Sequence, residues 1–321
     1  MMFSLMQDPR DVMQKMNDLD FYTPHDTPDN IKIFDSDIRQ LGVGKSGKNG
    51  SIRLGFENDA TGKTIICDQF AEVPFHIQRV IHYDVTFPDM AYLYIISASG
   101  GILQGDRYRI DITAQKGTKT HITTQGATRI YGMDSNSATQ MINITLEEDA
   151  YMEFVPDQII PYRNSRFYQR TNLNVHDSAT MIYSEIIAPG RVAMGESFEY
   201  DICYLKAKAV NQNDTLRFAD AASMEPKRYD LKSFGIMGEG NTIGSVYVVT
   251  KEKNVSALHE KIKNAIKSSG ASGGASTMMG GGLLARIVGS NTTQTRDAVM
   301  NILRHAREIC TGHITPEIRK S

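Results

Sequence analysis

Four carboxylates stand where side-chain chemistry is hardest to ignore. Asp106 follows a turn glycine, and Glu153 alternates within a short apolar run. Glu185 and Glu196 flank the block GRVAMGE at 190–196. A carboxylate enclosed by apolar neighbours is costly unless it meets water, a cation or an arginine. Arg129, Arg163 and Arg191 recur just past successive strand-like runs and are spaced to be such partners. One reading makes these ion pairs staples between neighbouring strands. The other makes the carboxylates the lining of a hydrated path. Loosely held oxygen ligands suit the transient passage of a divalent ion better than its storage, because weak, repeated binding lets the ion leave.

Other chemistries find less support. The eight histidines are scattered, with no H-x-H or H-E-x-x-H pattern. Cys310-x-x-His313, with His305 upstream, is the nearest approach to metal-ligand spacing, but zinc sites use four tightly spaced ligands. It reads as the end of a helix. No G-x-S-x-G elbow precedes a helix, so no serine nucleophile stands out. Gly44-Lys45-Ser46 has the tail of a phosphate-binding loop, but Arg39 stands where that motif needs its first glycine. No catalytic residue is assigned.

The elements that must position the carboxylates are mostly strands. After Asp106, Tyr108, Ile110 and Ile112 alternate with Arg107, Arg109 and Asp111, the period of a half-buried strand. A strand, a turn and a second strand then recur three times. First strands are expected at 107–113, 140–146 and 169–175, and second strands at 118–124, 150–155 and 179–187. Their turns are Lys116-Gly117, Glu147-Glu148-Asp149 and His176-Asp177-Ser178. Two strands per repeat suggest stacked rungs, a β-solenoid, although a β-sandwich of meanders gives similar spacing. Further strands are expected at 64–67, 77–83, 92–97, 198–204, 215–218, 242–250 and 283–288. In rung register, all four carboxylates point to the interior, and Thr123-Thr124-Gln125, Asp157-Gln158 and Glu185 fall at corresponding places.

Helical spacing is confined to three stretches. Asp8-Pro9 could cap a short helix through Val12, Met16 and Leu19. Val255, Leu258, Ile262, Ala265 and Ile266 mark a second, before a Gly/Ser stretch at 268–282 long enough to be a mobile loop. The last runs from Asn291 or Thr292 as N-cap to Gly312 as stop. Its stripe, including Ile302, Leu303, Ala306 and Ile309, is a candidate partner-binding face, since the β-structure need not cover it.

The chain has 321 residues and a net charge of −2, so no basic field invites nucleic acid. Three well-separated cysteines fit a reducing compartment. No apolar run approaches the roughly 20 residues of a membrane span, and no basic segment leads a secretory signal. A cytoplasmic location is expected.

GGILQGD at 100–106, TTQGATRIY at 123–131 and GRVAMGE at 190–196 together resemble the signatures of the UreD family of urease accessory proteins, called UreH in some bacteria. The resemblance runs from about Gly50 to the C-terminus and rests on Gly100, Gly101, Gly105, Asp106, Thr124, Gln125, Tyr131, Gly190, Arg191, Gly195 and Glu196. It implies a β-helical fold, so that with the helical spacing above the chain is expected to be all-β with two helices near the C-terminus; residues 1–49 lie outside the resemblance, are weakly patterned, and read as a partly mobile extension. The resemblance implies a non-enzymatic scaffold that joins UreF-like and UreG-like proteins to apo-urease subunits. Nickel would be in transit, with no tightly bound cofactor, and Asp106, Glu153, Glu185 and Glu196 become candidates for its path. The extension, Arg129 in place of a frequent lysine, and Gln104 depart from the family pattern. Two other functions fit the strands: a carbohydrate-active solenoid enzyme, disfavoured by the absence of tryptophan, and a scaffold with no metal route.

Overall fold

The computed structural model describes residues 19–36 and 47–318. Seventeen strands follow in chain order: β1 (Asn49–Asn58), β2 (Thr64–Ala71), β3 (Phe75–Ile77), β4 (Ala91–Ser97), β5 (Arg107–Ala114), β6 (Lys119–Thr124), β7 (Thr128–Ile130), β8 (Ala138–Leu146), β9 (Tyr151–Phe154), β10 (Ile159–Pro161), β11 (Arg166–Val175), β12 (Thr180–Ile187), β13 (Ile202–Val210), β14 (Leu216–Met224), β15 (Thr242–Val249), β16 (Ser272–Thr277) and β17 (Leu283–Gly289). Two single-turn helices, α1 (Leu19–Tyr22) and α2 (Asp29–Lys32), precede them. Two long ones, α3 (Val255–Ser268) and α4 (Thr292–Thr311), lie near the C-terminus.

The strands coil into a solenoid. One face stacks β1, β5, β8, β11 and β13 in parallel. The second stacks β4, β6, β9 and β12 in parallel. The short strands β7 and β10 stack on a third, narrow side. Antiparallel strands close the faces: β2 and β14 on the first, β3 at one end of the second and β15, β17 and β16 at the other. The expected repeat is therefore present with its turns. The Gly117 amide donates to the Glu148 carbonyl of the next turn, and the Asp149 amide to Ser178 Oγ of the one after.

Alternation explains the core. Leu54, Ile112, Ile144, Leu173 and Ala209 pair across the first face and all point inward. Ile122, Phe154 and Tyr183 do the same across the second. The opposite side of the second face is also buried, beneath α3 and α4. A sheet covered on both faces reads as a nearly continuous apolar run, as TMIYSEII in β12 does.

Helix α4 obeys its sequence signals. Asn291 caps it by accepting the Gln294 amide at 2.9 Å, and Gly312 ends it in the left-handed conformation. Its apolar stripe, however, is not open. Ile302, Leu303 and Ala306 are fully buried against the second sheet and α3, and Ile309 packs beside them. This corrects the expected partner face: the outward side of an already hydrophobic sheet needs those residues as cover.

Other expectations shift. Within 268–282, β16 pairs with β17 as an edge strand rather than forming a loop. Only Ile77 of the 77–83 run is in a strand. Asp84 gathers the Thr86 and Phe87 amides and bends the chain there. The strand expected at 198–204 starts instead at Ile202, after Phe198 adopts a positive φ. The helix expected from Asp8, except for Leu19, and the Gly44–Ser46 stretch lie outside the described residues. Residues 19–36 pack on the outer side of the first face, where Ile31 meets Tyr168 and Ile202.

Candidate functional site

All three sequence blocks fall on the narrow side, where the chain returns from the second face to the first. Gly101 is required by packing: a Cβ there would sit 2.5 Å from the Arg129 carbonyl and 2.7 Å from the Tyr131 ring. Tyr131 leans on Tyr162 at 5.0 Å, and the Arg191 guanidinium covers the Tyr162 ring at 4.3 Å. Arg191 then grips Glu196 through both carboxylate oxygens. The motif residues thus form one column across successive turns. Asp106 ties its first turn. It accepts the Lys48 and Leu103 amides and the Tyr108 hydroxyl, each within 2.9 Å.

A cavity of about 340 Å³ opens beside this column and enters the solenoid. Its mouth carries Gly100, Gly101, Gln125, Arg129 and Asp157, and Thr124 lines it too. Thr124 Oγ1 fixes the rim by accepting the Asp157 amide at 2.9 Å. Tyr108, Ile110, Ile142 and Phe154 form the walls, and Gln140, Gln169 and Glu185 the polar depth. Gln140 and Gln169 pair in register on adjacent strands of the first face, and Glu185 meets them from the second. Gln140 donates to Gln169 Oε1 at 3.1 Å. Gln169 in turn donates to Glu185 Oε1 at 3.1 Å, and the Tyr183 hydroxyl reaches the same oxygen at 2.5 Å. Burial of Glu185 raises its pKa to about 7, helped by the Asp220 charge and opposed by Arg286 and by the donated hydrogen bonds.

The four candidate carboxylates therefore do not converge. Glu185 alone among them lines the cavity. Asp106 is spent on its turn, and Glu196 on Arg191 and the Arg163 amide at 3.4 Å. The Arg191 hydrogen bond, followed by the nearby positive charges, holds Glu196 below the usual carboxylate range. Glu153 lies on the opposite side of its strand from the interior, because Met152 and Phe154 take the inward positions. This corrects its expected place in a path. It sits fully buried under α4, where Arg307 Nε donates to it at 2.7 Å, His121 Nδ1 lies at 2.6 Å, and Tyr151 donates at 2.5 Å. Burial alone would raise the Glu153 pKa, but Arg307 and His121 hold it down to about 2. Arg307 also reaches Asp84 Oδ2 at 3.1 Å.

The expected arginines are partners only in part. Arg191 holds Glu196 and Arg163 holds Glu199, while Arg129 stands exposed at the cavity mouth. Sequence reasoning missed Arg307, although a cation four places after Leu303 on an apolar stripe was its signal. It also missed Arg286, a charge on the half-covered side of a strand. Cys310, His305 and His313 do not meet: Cys310 faces Thr250, His305 lies near Glu308 and His313 stacks on Phe87. Among the described residues, no three His, Cys, Asp or Glu are grouped to hold a metal ion, and no helix is long and apolar enough to cross a membrane.

Comparison with known proteins agrees with the blocks. The family model described as UreD urease accessory protein matches residues 48–320. A urease accessory protein UreD of Cenarchaeum symbiosum is 40% identical over 283 residues, covering 88% of this chain and 99% of the relative. A urease accessory protein UreD 2 of Brucella suis is 36% identical over 288 residues, covering 88% and 95%. The UreD protein of Photorhabdus laumondii is 32% identical over 317 residues, covering 98% and 97%.

Proposed function

The chain belongs to the UreD family of urease accessory proteins, and from that membership we propose that it is a non-catalytic maturation factor for nickel insertion into apo-urease. In this reading it works in a complex with UreF-like and UreG-like proteins in the cytoplasm, and nickel is its cargo. The observation that carries the proposal is the cavity within the solenoid, with the polar groups Gln140, Gln169 and Glu185 at its depth. A solenoid that only bridged partners would gain more from continuing the Leu54–Ala209 ladder, since buried polar groups must each be satisfied at a cost. At that depth a single carboxylate among amide and hydroxyl groups is a weak ligand set for nickel and suits passage rather than retention. Asp106 and Glu196 support that cavity from outside, by fixing the turns at its mouth.

Co-expression tests this reading. The full chain is expected to co-purify with nickel-free urease subunits together with its UreF-like and UreG-like partners. Urease matured without the chain is expected to hold little nickel. Urease that fills with nickel equally well in its absence would contradict the proposal.

A further inference from the structure

Past Glu185 the row of inward polar groups on the second face ends on an arginine. Glu185 pairs in register with Ser245 of β15, and Ser245 with Arg286 of β17. The three side chains stand in a row on adjacent strands, about 4.8 Å apart at each step. Arg286 donates Nη1 to Ser245 Oγ at 2.8 Å and Nη2 to Asp220 Oδ2 at 2.6 Å. Asp220 belongs to β14 of the opposite face and also accepts the Tyr247 hydroxyl at 2.6 Å. The guanidinium therefore bridges the two faces at the terminal turn, two strands beyond Glu185.

Its position matters because two carboxylates share it. Asp220 holds it directly, and its charge also reaches Glu185. The Arg286 side chain is 37% exposed and that of Asp220 20%. A pair this open to water is weak and exchangeable. A guanidinium that can turn to solvent gives up its place to any cation that both carboxylates prefer, and a divalent ion satisfies two negative charges where arginine supplies one.

We propose that Arg286 is a displaceable resident cation that closes the C-terminal end of the interior. With the guanidinium on Asp220 and Ser245, cations in the cavity meet a like charge and stop at Glu185. When a divalent ion bridges toward Asp220, the guanidinium swings outward and the end opens. No bond is made or broken; one counter-ion replaces another. This inference rests on the reading of the interior as an ion route.

The test is the initial rate of nickel incorporation into apo-urease by the full chain with its partners, supplied with Ni²⁺. Arg286→Met and Arg286→Gln both remove the charge, and Gln keeps a polar side chain at the position. Each is expected to load nickel at least threefold faster than the parent. An unchanged or slower rate in a folded variant overturns the latch. So does loss of the fold in both variants, since the guanidinium is then a structural tie. Glu185→Gln, run in parallel, separates the two ideas. Normal loading there removes the ion route itself. Slow loading with unaltered Arg286 variants keeps the route and removes the latch.

Discussion

Arg307→Met is expected to lower the unfolding free energy by about 3–5 kcal/mol, the usual consequence of stranding a buried charge. Glu153, Asp84 and Arg307 are all essentially inaccessible to water. Methionine fills a similar length but leaves two carboxylates facing each other beneath α4. The alternatives are to stay ionised with only His121 and neutral donors for company, to take up protons, or to lift the helix and admit water. Each weakens the contact between α4 and the second sheet, although Val299, Ile302, Leu303 and Ala306 still pack there. Urea titration followed by circular dichroism measures the loss. Adding Glu153→Gln to Arg307→Met should recover part of it, because the neutral amide no longer needs a cation. A loss below about 1 kcal/mol in the single variant would mean that apolar packing alone holds the helix.

The second large effect is a pH dependence of opposite sign at two glutamates. The Glu153 pKa is held near 2, below the ordinary 4.5. Its stabilising share is full above 4.5 and is lost as the pH falls toward 2. The Glu185 pKa is raised from 4.5 to about 7. Its native state binds the proton more tightly than the unfolded chain does. Stability from that source is therefore full below 4.5 and drains away as the pH climbs through 7. A displacement of this size is worth about 3 kcal/mol. Glu185→Gln should therefore be more stable than the parent at pH 8, by up to about 3 kcal/mol, and no more stable at pH 5. Thermal melting at the two pH values shows the crossover. A glutamine variant that melts lower than the parent at pH 8 would mean that the ionised carboxylate is well served in its site.

The rungs were legible because alternation and turns repeat locally: RYRIDITA, a Lys-Gly turn and KTHITT predict one another within a few dozen residues. The column of motif residues was legible as three glycine-bearing blocks. What a linear pattern does not encode is which side of a twice-covered strand a polar residue takes. Glu153 and Glu185 both sit in buried runs of second-face strands, yet one faces the helices and the other the cavity. One further residue between the strand start and the carboxylate is enough to reverse the side. Met152 and Phe154 claim the interior of β9, whereas Met181, Tyr183 and Glu185 claim that of β12. The partners were further out of reach. Asp84, His121, Glu153 and Arg307 span more than two hundred positions, and only the wrapping of α4 over the sheet brings them together. The same holds for Asp220 and Arg286, which meet across the two faces.

The most direct test of the account is nickel per urease active site after maturation by the Glu185→Gln protein, measured at pH 7 beside the parent, with the melting temperature and the complex checked in the same samples. Glutamine keeps the shape and can still accept from Gln169 and Tyr183 but cannot carry the charge. The account predicts an intact fold, an intact complex and urease clearly depleted in nickel. Full nickel occupancy from that variant would contradict it and leave a scaffold whose interior plays no part in moving the ion.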